Sequence, residues 1–116
     1  MFKIDLTYLE NISAGDKAFV AEMLAMLQKN TLPEIEILKQ LVNEKDWEKV
    51  RASAHKMKAP IEMLGIPEVS NIIMEIELQT KTQTSLETLP AKVLNLESQF
   101  AELGLLLTHE IAELKK

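Results

Sequence analysis

The chain contains no cysteine, and its 116 positions hold only three Phe, one Tyr, one Trp, three Gly and four Pro. Each scarcity excludes something. Without cysteine there is no disulfide framework, no thiolate metal site and no thiol nucleophile. With 4% aromatic residues there is no platform for stacking bases. Lysines are scattered among acids and the net charge is −5, so no basic stripe follows a phosphate backbone. No apolar run approaches the roughly 18 residues of a membrane span. Lys3, Asp5 and Glu10 interrupt any apolar signal segment near the start. The expectation is a soluble, cytoplasmic monomer that binds neither nucleic acid nor membrane. Phosphate-loop and nucleophile-elbow patterns are missing too, so ATP binding and serine hydrolysis have no support, and Ser13, Ser53, Ser70 and Ser98 lack a neighbouring base.

What is present is helical periodicity. Few helix breakers and long 3.6-residue patterns predict one all-α domain spanning 1–116. A short helix is expected over about Leu6–Asn11 with Asp5 as its N-cap, then a second from Asp16 to Lys29. Asn30, Thr31 and Pro33 mark a break or a kink before a third run, Leu32–Asn43, and the pattern fits either two separate helices or one bent rod. Asp46 caps a helix over Trp47–Leu64, and Gly65 follows as the left-handed residue past its end. Pro67 opens the next helix, to Thr80, and 81–85 form the clearest loop. The last helix starts between Leu86 and Pro90 and runs to Leu114. Long helices with short connections predict an up-down-up-down four-helix bundle with a short additional N-terminal helix.

The Trp47–Leu64 segment carries the most information. Trp47, Val50, Ala54, Met57, Ile61 and Leu64 keep spacings of three and four, which makes one buried stripe. At 100° per residue, His55 projects about 130° from the middle of that stripe and faces solvent. Lys58 lies one turn on, within reach of whatever the imidazole carries. Ala52 and Ala59, small residues on the same outer face, leave the ring above a shallow surface that another protein can approach. A neutral imidazole nitrogen is nucleophilic near neutral pH, its ordinary pKa being about 6.5. A lysine ammonium 4 Å from a phosphoryl oxygen contributes about 1–4 kcal/mol of attraction. His109, beside Glu110 and Glu113, reads as a solvated surface residue, and neither histidine has the ligand spacing of a metal site.

The stretch Ala54-His55-Lys56-Met57-Lys58-Ala59-Pro60-Ile61-Glu62-Met63-Leu64-Gly65 resembles the signature of histidine-containing phosphotransfer (HPt) domains of two-component phosphorelays. That pattern runs His-x-x-Lys-Gly, two small residues, then Leu or Phe before Gly. His55, Lys58, Leu64 and Gly65 match it, and the order of helices resembles the family over nearly the whole chain. The resemblance implies that His55 is the phosphoacceptor and that Lys58 helps balance the phosphoryl charge. It implies as partners the receiver domains of response regulators or hybrid histidine kinases. It also implies a carrier rather than a complete enzyme, with no cofactor or metal of its own, the magnesium of the transfer belonging to the receiver. Ala59 stands where the family has glycine, and Pro60 where it has a small polar residue. Proline lacks the N–H that would bond the Lys56 carbonyl, so a kink between Lys56 and Pro60 is expected, able to swing Lys58 away from His55.

One further surface comes from the second helix. Val20, Leu24 and Leu27 suffice as its core stripe, which leaves Phe19, Met23 and Met26. The expectation is burial of these under Leu6 and Leu9; the alternative is a receiver-docking patch, to which Phe19 and Met23 would belong with Ala52, Ala59 and Glu62. Two functions remain open: a phosphocarrier working through His55, or a non-phosphorylated helical adaptor that binds receiver domains without transfer, which Pro60 would favour.

Overall fold

In the computed structural model, residues 2–116 are described, and among them there is no strand. Six α-helices follow one another: α1 (Thr7–Ile12), α2 (Lys17–Met26), α3 (Glu34–Asn43), α4 (Trp47–Glu62), α5 (Pro67–Thr82) and α6 (Leu89–Leu114). The 26-residue α6 is about 39 Å long at 1.5 Å per residue, close to the 45 Å long axis of the molecule. Helix α4 packs on α3 and α5, α5 on α6, and α6 closes the ring against α3 and α2. Leu38, Met57, Ile61, Ile73, Ile76, Leu96 and Leu103 fill the space between them and are fully buried.

Local chemistry sets the boundaries. The Asp46 carboxylate accepts the Lys49 N–H at the start of α4 and Asp16 accepts that of Phe19 at the start of α2. Asp5 acts one residue differently from expectation. The first helix begins at Thr7, and the Asp5 carboxylate accepts the Thr7 N–H while its own N–H bonds the Leu64 carbonyl. The latter bond ties the N-terminal segment to the end of α4. Gly65 answers both demands there: its φ is +61°, and a Cβ would stand 2.8 Å from the Asp5 Cβ.

Between α2 and α3 the two readings resolve toward a bent rod. Residues Leu27–Thr31 form a π-helical turn, the Leu32 N–H bonds the Leu27 carbonyl, and Pro33 enters α3 with helical φ and ψ. Proline has no N–H to offer the preceding turn, and the wider turn absorbs the mismatch.

Three expectations need correction. Lys81 and Thr82 belong to α5, not to a loop; Thr80 and Thr82 hydroxyls bond the carbonyls of Ile76 and Leu78, and the chain turns only at Gln83 and Ser85, both left-handed. The Gln79 amide, bonded to the Thr84 and Ser85 carbonyls and the Thr88 hydroxyl, holds that short turn closed. The Phe19–Met26 stripe is not covered: Phe19 and Met26 are exposed, and Met23 is half-buried. A six-residue α1 that buries Leu9 is too short to cover the stripe. Finally, Pro60 does not interrupt α4, which continues to Glu62. Lying in the last turn, Pro60 removes one N–H and leaves the rest of the helix intact.

Candidate functional site

The buried stripe sets the rotation of α4. Val50, Ala54, Met57 and Ile61 are each exposed by 1% or less, and the opposite side of the helix therefore faces out. His55 stands on that outer side with 71% of its side chain accessible. It is not alone. The Glu77 carboxylate of α5 reaches across, its Oε2 2.5 Å from His55 Nδ1 and its Oε1 2.8 Å from Lys58 Nζ. One carboxylate thus holds both motif residues, and Lys58 has not swung away. The Glu77 side chain is itself only 17% accessible, because α5 buries Ile73 and Ile76 and carries Glu77 into the seam with α4.

The electrostatics of the cluster follow. The hydrogen bond from Lys58 holds the Glu77 carboxyl below the usual carboxylate range; the His55 contact adds to this and burial opposes it. The same bond raises the Lys58 ammonium above its ordinary value. An ionised carboxylate can only accept, so the proton on the neutral imidazole is assigned to Nδ1. That leaves the lone pair on Nε2, which has no partner among the described residues.

The surface around the ring has two hollows. One of about 750 Å³ runs between α4 and α5 and is lined by Arg51, His55, Lys58, Glu77 and Lys81 together with Met74 and Leu78. The other, of about 360 Å³, lies toward the start of α4, where Glu48, Arg51 and Ala52 meet His55 and Glu77. Met74 and Leu78 are exposed apolar side chains one turn apart on α5.

His55 and Lys58 are brought together as the spacing predicts. Ala52, Ala59 and Glu62 are exposed along α4, and Ala52 lines the smaller hollow. Phe19 and Met23 lie on α2, which packs on α1 and α6, and neither lines a hollow beside the ring. His109 is exposed on α6, and among the described residues no three His, Asp or Glu side chains gather as a metal site would require. Glu77 is what sequence reasoning missed. Its one local signal is position: it lies about 40° from Ile73 and about 70° from the middle of the core stripe of α5, on the flank where a helix meets its neighbour.

A family model described as Hpt domain matches residues 22–116, from within α2 through the end of α6. No curated protein and no solved structure matches the chain.

Proposed function

The chain belongs to the Hpt domain family, whose members take part in phosphorelay signalling by histidine phosphotransfer, and we propose that its phosphoacceptor is His55 Nε2. The observation that carries this is the Glu77 carboxylate, which fixes the imidazole through Nδ1 and leaves the other nitrogen exposed as the nucleophile.

The step is a displacement at phosphorus. A receiver domain docks with its aspartyl phosphate in line with Nε2. The Nε2 lone pair forms the N–P bond, the P–O bond to the aspartate breaks, and the carboxylate departs with that electron pair. Positive charge develops on the ring while the Nδ1 proton stays on the hydrogen bond to Glu77, whose negative charge offsets it. Transfer to a second receiver is the reverse. Positioning and charge balance supply the acceleration, as in phosphoryl transfer generally. Lys58 spends one donor on Glu77 and keeps two for phosphoryl oxygens. Ala52, Ala59 and Glu62 form the receiver contact on α4, and Phe19 and Met23 on α2 offer a separate apolar contact. The whole chain acts as one domain whose long helices alternate up and down; the three-residue connection between α3 and α4 and the tight turn after α5 support that order.

The test is transfer from a phosphorylated receiver to the full chain. Label that appears on the wild type, is lost in acid and is absent from His55→Gln supports the carrier. Receivers that bind across a broad panel without labelling the protein would instead identify an adaptor.

A further inference from the structure

Three cations line the groove between α4 and α5, and they are not equivalent. Lys58 is already engaged by Glu77 at 2.8 Å. Arg51 and Lys81 make no ion pair among the described residues. Arg51 has a second distinction. With His55 and Glu77 it lines both the larger hollow toward α5 and the smaller one beside Ala52, so it borders each hollow onto which the ring opens, whereas Lys81 lines the larger hollow alone. It sits one turn before His55 on the same helix. Helical side chains lean toward the N-terminus, so the imidazole lies over the turn that bears Arg51.

We propose that Arg51 binds the phosphoryl group carried by His55, an assignment that rests on the carrier reading above. Its planar guanidinium offers two parallel N–H donors to two phosphoryl oxygens, a fork that an ammonium cannot reproduce. The work is then divided. Glu77, bonded by one Lys58 donor, orients the ring, and Arg51 grips the cargo as a fork beside the two donors that Lys58 keeps. During transfer phosphorus exchanges its bond to the leaving oxygen for a bond to Nε2. Its three peripheral oxygens stay in place, and two of them face the guanidinium.

The experiment compares wild type, Arg51→Ala, Arg51→Lys and His55→Gln as full chains with two donors. One is a phosphorylated receiver. The other is phosphoramidate, whose P–N bond breaks to release ammonia and which has no docking surface. Arg51→Ala is expected to slow labelling from both donors at least tenfold, and Arg51→Lys to recover only part of that loss. Circular dichroism should stay unchanged, since Arg51 is exposed. Wild-type rates from both donors in Arg51→Ala would overturn the assignment and leave the carrier reading standing. A loss seen with the receiver alone would make Arg51 a docking residue and overturn it too. If the wild type took label from neither donor and matched His55→Gln, the carrier reading itself would fall and the assignment with it.

Discussion

The two flanks of α4 carry the same device for different ends. Toward α5, Glu77 bridges His55 and Lys58, three residues apart. Toward α3, Glu34 bridges Ser53 and Lys56, also three residues apart, with Oε2 2.8 Å from the Ser53 hydroxyl and Oε1 3.2 Å from Lys56 Nζ. What differs is the neutral partner and its surroundings. Ser53 is buried, does not titrate, and exposes nothing to a second molecule. His55 stands in solvent, open to a second molecule. A carboxylate that grips a buried hydroxyl locks two helices together, while one that grips an exposed imidazole orients a nucleophile. The comparison teaches that a bridging carboxylate has no role of its own; the accessibility of the group it holds decides the role.

The contrast is broken most severely at Glu77. Glu77→Ala frees the ring and removes the charge that offsets the developing imidazolium, and transfer rates are expected to fall about 10- to 100-fold, by analogy with carboxylates that orient metal-ligating histidines. Initial rates of labelling measure this. A second readout separates orientation from bulk structure. Because the Lys58 bond holds the Glu77 carboxyl below its ordinary 4.5, its stabilising contribution is present above that pH and is lost as pH falls through the lower folded value. The difference in unfolding free energy between wild type and Glu77→Gln should therefore narrow from pH 7 to pH 3. A constant difference would mean that the ion pair is not what the carboxylate contributes.

Glu34 should behave in the opposite sense. Glu34→Ala leaves the buried Ser53 hydroxyl without its partner, at a cost of about 1–3 kcal/mol, read as a lower denaturant midpoint at pH 7. Transfer by the folded fraction should stay within about twofold, since Glu34 touches neither His55 nor its hollows. A variant that transferred as poorly as Glu77→Ala would erase the distinction between the two flanks.

How far all this was legible in the sequence depends on the range of the interactions. The stripe of α4 and the outward face of His55 follow from residues within a few turns of each other, and both were readable. So were the Asp46 cap and the left-handed Gly65. Glu77 was not, because 22 residues separate it from His55 and only the register of α5 against α4 brings them together. Arg51 was missed for a related reason: an arginine on a helix surface means little until the hollows onto which the ring opens are seen. The exposure of Phe19 and Met26 turned on how much a six-residue α1 can cover, which is a question of packing rather than of periodicity. The end of α5 was misread because Lys81 and Thr82 looked like loop residues, although the Thr82 hydroxyl bonds back to the preceding helical turn.

Pro60 gives the smallest and sharpest test. The sequence predicts a kink that disturbs the site, yet α4 continues to Glu62 and both motif residues keep hold of Glu77. Two opposing terms govern Pro60→Ala. The substitution returns an N–H to the Lys56 carbonyl, at about 0.5–1.5 kcal/mol for a typical intramolecular bond. It also loosens the unfolded chain, at about 0.4–1 kcal/mol. The net change in stability should stay under about 1 kcal/mol, and transfer should stay within about twofold of wild type. The site lies on the N-terminal side of the proline, where the buried stripe and Glu77 already fix the helix. A tenfold gain in transfer for Pro60→Ala would show that the proline does displace Lys58 or His55 in solution, and the α5 flank would then owe its geometry to more than its carboxylate.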